Sequence, residues 1–195
     1  MHPNLKQTTL AAAALACAAV SLSAQAEGRD AALKRGALLV KIGGCQDCHT
    51  PFKMGPNGPE KDVARGLSGH PEELRLPTPP KLEAAWNWAG SATMTAFVGP
   101  WGQTYAANLT PDRETGIGAW TEKEFIQAMR TGKHVGVARP ILPPMPWQAV
   151  GALPDKDLRA VFAYLKAQPA VKNKVPDYVP PAAATARAAT GKNPS

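Results

Sequence analysis

Gly43-Gly44-Cys45-Gln46-Asp47-Cys48-His49-Thr50-Pro51 is the stretch on which the reading of this chain turns. Upstream of it, Asp30 to Ile42 reads as a helix. Ala31, Leu33, Ala37, Leu38, Val40 and Ile42 supply its apolar positions, and Lys34, Arg35 and Lys41 its polar ones. Asp30 is the expected N-cap, and Gly43-Gly44 stops the helix just before the first cysteine. Downstream, prolines at 51, 56, 59, 71, 77, 79 and 80 interrupt any long periodic run.

The cysteine count sharpens the motif. Residues 1–26 have the make-up of an export leader. Lys6 is followed by an apolar run from Leu10 to Ala24, and Ala24-Gln25-Ala26 offers a small-x-small cleavage site, with cleavage expected after Ala26. The run is shorter than the roughly 20 apolar residues a spanning helix needs. Cleavage removes Cys17 and leaves Cys45 and Cys48 as the remaining cysteines. It also removes Lys6, which lowers the formal charge of the 195-residue chain from +7 to +6. An exported, periplasmic chain argues against nucleic acid as the partner. A basic surface suits an acidic protein or an anionic membrane face, and so peripheral membrane association.

Two cysteines in an oxidising compartment need an explanation. Cys-x-x-Cys-His is the spacing of c-type haem attachment: each thiol forms a thioether, and the next residue, His49, lies under the ring as an iron ligand. Two rivals fit less well. A thioredoxin-like CxxC sits beside a βαβ pattern, which is not visible here. A structural zinc site needs about four ligands, and His70 and His134 stand at unsuitable spacing.

For the second axial position the candidates are Met54, Met94, Met129, Met145, His70 and His134. Met54 is too close to His49 to cross to the other face, and Met129 shares a helical face with Phe125 and Ile126. Met145 lies in Ile141-Leu142-Pro143-Pro144-Met145-Pro146-Trp147, where three prolines restrict the backbone. A Met/His pair is a standard cytochrome c arrangement, so Met145 is the preferred ligand; His134 and His70 remain open.

Along the rest of the chain, Thr121 to Glu124 forms a capping box that opens a helix ending at Gly132. A second helix runs from Pro154 to about Ala167, with Leu158, Val161, Phe162 and Leu165 at helical spacing. Short helices are expected near 60–66 and 81–86. A small β-hairpin is expected from 93–98 and 103–107 around Gly99-Pro100-Trp101-Gly102. Residues 27–175 form one domain, and 176–195 read as a disordered Pro/Ala-rich tail.

Helix, CxxCH, irregular middle, Met-Pro loop and C-terminal helix together resemble the mono-haem class I cytochromes c. The resemblance implies an all-α fold with crossing N- and C-terminal helices, interrupted by a long irregular insertion at about 52–105. Gly36 and Tyr164 match the crossing positions. A narrower resemblance is to the exported cytochromes and cytochrome domains that serve periplasmic dehydrogenases. It rests on Gly43 to Pro51, Asn108-Leu109-Thr110-Pro111-Asp112, Thr115-Gly116-Ile117-Gly118-Ala119-Trp120 and Pro143 to Trp147. It implies that Asn108 and Trp120 line the haem pocket or bond a propionate, with Pro144 and Trp147 burying the haem. The cofactor is then one covalently attached haem c, held by Cys45 and Cys48 and ligated by His49 and Met145.

By the same resemblance, the chain is a non-enzymatic electron carrier between a dehydrogenase upstream and an oxidase or other cytochrome downstream. Two alternatives stand beside it. One is a haem-bearing subunit fixed in a membrane oxidoreductase; the other is a haem enzyme or gas sensor with an open sixth position.

Overall fold

The computed structural model describes residues 25–83, 85–134 and 139–181. Residues 1–24 of the expected leader and 182–195 of the expected tail lie outside the described residues.

Residues 25–42 are helical (α1), so the helix is already formed before Asp30. Asp30 is therefore no cap. Its carboxylate instead pairs with Lys34, one turn on, at 2.7 Å. Leu39 and Val40 are buried, whereas Leu38 and Ile42 face outward. After Gly43-Gly44 the motif forms one helical turn, α2 (Cys45–His49). Two further helices complete the core: α3 (Glu122–Thr131) and α5 (Asp155–Lys166), with the short α4 (Trp147–Gly151) between them.

The capping box forms as the sequence implies. Thr121 accepts from the Glu124 backbone while the Glu124 carboxylate accepts from the Thr121 N–H, and Gly132 ends α3 in the left-handed region at φ 65°. Phe125 and Phe162 meet with ring centroids 5.3 Å apart, joining α3 to α5. Leu158, Val161 and Leu165 of α5 share one apolar core with Leu39 and Val40 of α1 and with Phe125, Ala128 and Met129 of α3.

Gly36 explains how α1 and α5 cross. A Cβ at position 36 would run into the Ala160 carbonyl and lie 2.7 Å from the Tyr164 Cβ. Only hydrogen fits in that gap. Arg35 and Asp157 then fasten the same crossing with two N–H···O bonds of 2.9 and 2.8 Å.

The all-α expectation needs correction for the insertion. It folds into two small antiparallel sheets. One is the hairpin of β1 (Phe52–Gly55) and β2 (Gly58–Lys61). The other has strand order β3 (Ala89–Gly90), β4 (Ala96–Gly99), β5 (Gly102–Tyr105). The expected hairpin corresponds to β4–β5, closing with Gly99 opposite Gly102. The first hairpin was signalled by Gly55-Pro56-Asn57-Gly58, a turn sequence in which Gly58 takes φ 115°. The short helix expected near 60–66 is a single 3-10 turn at Val63–Arg65. None is described at 81–83 or 85–86.

The beginning of the expected tail is docked. Val179 and Gln103 exchange backbone hydrogen bonds of 2.9 and 3.0 Å, and the Tyr178 hydroxyl donates to the Trp101 carbonyl at 2.6 Å. The edge of β5 thus gains a partner that hydrophobicity alone could not signal.

Candidate functional site

The α2 turn puts Cys45 and Cys48 three residues apart, on one face of the helix. Gly44 enters the turn at φ 64°, a conformation glycine adopts without strain. Both cysteines are free and half-buried. Burial pushes both thiols above their ordinary range, and the neighbouring Asp47 carboxylate pushes the same way. Reactive redox cysteines have the opposite character, a depressed pKa that favours thiolate. Among the described residues no group of three or more His, Cys, Asp or Glu converges as a metal cluster. Neither the thiol-redox nor the zinc rival therefore gains support.

His49 is held from two sides. Its Nδ1–H donates to the Ala107 carbonyl at 2.7 Å. A carbonyl only accepts, so the proton sits on Nδ1 and Nε2 keeps its lone pair. Burial lowers the imidazole pKa, so the ring stays neutral, the form that binds metals. On the backbone side, the His49 carbonyl accepts from Gly69 N–H at 2.8 Å, and Thr50 Oγ1 accepts from Leu67 N–H at 3.0 Å.

Leu67-Ser68-Gly69-His70 is thus a buried strut, with Leu67, Ser68 and His70 almost inaccessible to solvent. It joins the motif to residues 106–109, since His70 N–H donates to Ala106 and Leu109 N–H to Leu67. Gly69 has φ 79°, and a Cβ there would lie 2.7 Å from the Ala107 carbonyl carbon and oxygen. The glycine lets the strut approach the very peptide that orients His49.

The Asn108 side chain is bonded within the chain itself. Its Oδ1 accepts from Thr110 N–H and hydroxyl at 2.9 and 2.7 Å, and its Nδ2 donates to the Val171 carbonyl and Thr115 Oγ1 at 2.8 and 3.1 Å. Both side-chain amide protons are engaged within the chain. Asn108 braces the chain after α5. Asn173, fully buried, is its counterpart. Its Nδ2 donates to Ser68 and His70 carbonyls at 2.7 and 2.8 Å, and its Oδ1 accepts from Glu72 N–H at 2.9 Å. Sequence reading missed Asn173. An isolated asparagine after the last helix carries no local pattern.

Met145 is half-buried against the apolar core. Its loop is tied at three points. Ile141 N–H donates to Gly132 at 2.7 Å, Thr104 Oγ1 to the Pro143 carbonyl at 3.0 Å, and Trp147 N–H to the Met145 carbonyl at 2.9 Å. The peptide between Pro143 and the half-buried Pro144 is cis. Trp147 is occupied in the scaffold. Its indole lies over Gly132, where a Cβ would meet the ring at 2.5 Å. Trp120 is also half-buried against the core, and its indole N–H has no partner among the described residues.

The two histidine alternatives fare differently. His70 is spent: Nε2–H donates to the Leu74 carbonyl at 3.3 Å, and Nδ1 accepts from the Thr95 hydroxyl at 2.9 Å. His134 is half-buried with its Nε2 3.5 Å from the Arg139 guanidinium, which together with burial holds its pKa low. Met54 and Met94 are exposed, and Met129 is a core residue.

The protein's relatives bear on what these residues hold. The chain is 32% identical over 179 residues to the cytochrome c subunit of a quinone-type alcohol dehydrogenase from Gluconobacter oxydans, a match covering 89% of this chain and 30% of that one. It is 28% identical over 156 residues to the gluconate 2-dehydrogenase cytochrome c subunit of Pantoea cypripedii, covering 77% of this chain and 27% of the relative. This chain is related to dehydrogenase-associated cytochromes c. A third relative, the fructose dehydrogenase cytochrome subunit of Gluconobacter japonicus, is 36% identical over 70 residues, covering 36% of this chain and 14% of that one. The match spans less than a third of the length of each of these relatives. No family model matches the chain.

Kinship to cytochromes implies haem, and the donor set fits. Two thiols share a helical face beside an oriented neutral imidazole, and Cys45, Leu109, Trp120, Ile126, Ile141 and Met145 pack half-buried around the same core. Apolar walls with a few placed polar groups are what a flat, mostly apolar macrocycle needs. Among the described residues no helix is long and apolar enough to cross a membrane.

Proposed function

We propose that this chain is an exported electron-transfer protein that carries one electron on a haem c tethered by Cys45 and Cys48, with His49 and Met145 as axial ligands. Haem supplies, when bound, an iron that alternates between two oxidation states one electron apart.

The observation that carries the proposal is how residues 104–107 serve both ligands. Thr104 holds the Pro143 carbonyl, two residues before Met145, and the Ala107 carbonyl three residues later orients His49. One short segment thus ties down the imidazole and the thioether loop together. The Ala107 bond also raises the donor strength of Nε2. A thioether ligand favours the reduced state and raises the potential. Were His49 and Met145 both to hold the iron, they would leave small molecules no open position on it.

In this reading a dehydrogenase delivers the electron and an oxidase or another cytochrome removes it. The relatives' description as cytochrome subunits favours a second form of the same function, a subunit held by a dehydrogenase rather than a free shuttle. Chain purified from an exporting host after haem loading is expected to retain haem on a denaturing gel and to resist carbon monoxide when reduced. Rapid carbon monoxide binding would point instead to an open sixth position.

A further inference from the structure

The insertion carries a surface unlike the rest of the molecule. Between Phe52 and Thr95 five basic residues are matched by five acidic ones, so the chain's net charge of +7 lies wholly outside this segment. On this neutral segment stand the exposed side chains of Trp86 (70% exposed), Trp88 (43%), Met94 (38%) and Met54 (77%). Trp88, Met94 and Met54 are anchored on the sheets rather than loose, and the backbone N–H of Trp86 donates to the Glu83 carbonyl at 2.8 Å. Trp88 packs edge-on against Phe97 of β4, centroids 5.8 Å apart. A Cβ on Gly90 would touch both the Phe97 ring and the Met94 sulfur, at 3.5 and 3.6 Å. Phe52 N–H donates to the Thr93 carbonyl at 3.0 Å, which sets the β1–β2 hairpin, and Met54 with it, next to this platform.

From this we infer that the Trp86–Trp88–Met94 platform is the docking face for a partner protein presenting an uncharged apolar cleft. Exposed tryptophans on a rigid support are the residues that most often anchor protein interfaces. The charge balance argues against an anionic bilayer, which recruits proteins through unpaired basic residues near the contact. Here Lys53 lies 3.6 Å from Asp62, Lys61 2.6 Å from Asp47, and Arg65 2.5 Å from Glu73; Arg75 and Lys81 have no ion pair among the described residues, but the segment's acidic residues balance their charge. Area argues against a stable second copy and fits a transient redox partner, whose interfaces run below about 1,200 Å². The four side chains expose roughly 500 Å², so two such patches face to face would bury about 1,000 Å², short of the about 1,200 Å² where stable interfaces begin.

The docking face stands independently of the haem. That the partner is the electron donor or acceptor rests on the proposed function. Docking here would be driven by apolar contact and so would be insensitive to salt, unlike an encounter steered by the basic remainder of the surface.

The test places a photo-crosslinking benzoylphenylalanine at position 86, 88 or, as an exposed apolar site on α1 outside the insertion, 42, in the full chain in its native host. The expected result is an adduct from 86 or 88 with one redox protein, mapped to an apolar, uncharged peptide of it. With that protein purified, Trp86→Ser/Trp88→Ser should slow electron transfer by about tenfold or more. About 0.5 M salt should alter the wild-type rate less than about twofold, and the absorption spectrum should stay unchanged. Adducts only with lipid, only with a second copy of the chain, only from position 42, or none at all would overturn the inference, as would a rate that collapses in salt. Loss of covalent haem would instead count against the proposed function and leave the adducts readable.

Discussion

The two arms that present His49 and Met145 are built differently. His49 is buried, its ring hydrogen-bonded, its backbone clasped by a strut that is itself pinned by Asn173. Met145 is half-buried on a loop stiffened by proline and held by Thr104 and Ile141. A ligand fixed by several buried hydrogen bonds moves only with the fold. One held by a loop can leave while the fold persists. The contrast teaches that the histidine side is the more firmly fixed, and that under the proposed ligation the methionine side is where coordination would change.

The largest effect expected is on attachment itself. Cys45→Ala/Cys48→Ala should abolish covalent haem while both arms' scaffolds remain, checked by haem staining after denaturing electrophoresis. Retention of stain would break the picture of α2 as the tether.

Next comes the difference between the arms. Asn173→Ala leaves the Ser68 and His70 carbonyls and Glu72 N–H unpaired, and should lower unfolding free energy by about 3 kcal/mol. Thr104→Val, on the methionine side, removes one more exposed bond and should cost about 1 kcal/mol. Denaturant melts of both variants check the ranking; equal losses would erase the contrast.

A pH effect follows from His70. Burial lowers its pKa in the folded protein, so the unfolded chain takes up the proton first. Stability should therefore be full above about pH 6.5 and decline as pH falls below it. Thermal melts between neutral and mildly acid pH should show the decline, and His70→Asn should reduce it, leaving the share of His49 and His134, whose pKa values burial also lowers. The smallest effect concerns Glu73, whose carboxyl the Arg65 guanidinium holds at about 2 against an ordinary 4.5. Its stabilising effect is present above 4.5 and is lost as pH falls through about 2. The carboxylate is largely exposed, so solvent screens the pair and the stability change will be slight. Arg65→Ala should return the Glu73 titration, followed by NMR, to the ordinary carboxylate range.

Legibility in the sequence divided along the same line. The motif, the capping box at Thr121 and the amphipathic α5 are local patterns, each readable within a dozen residues, whereas the glycine at the α1–α5 crossing came from the family resemblance. Met145 could be proposed because prolines advertise a stiff loop. The Ala107 carbonyl, the strut at 67–70 and Asn173 could not be foreseen. Each acts across 17 to 105 positions and through backbone groups that every residue possesses. Asn108 stands out in the sequence, but its amide bonds lie with the chain's own backbone and hydroxyls. The sheets of the insertion hid behind prolines, although Pro56-Asn57-Gly58 announced one of the turns.

The central claim is the pairing of His49 with Met145 on a haem held by Cys45 and Cys48. It is tested most directly by the absorption spectrum of the oxidised, haem-loaded protein beside that of Met145→Ala. A weak red sulfur-to-iron band is expected in the wild type and should vanish in the variant while the haem stays attached. A wild type without that band, or a variant that keeps it, would contradict the account.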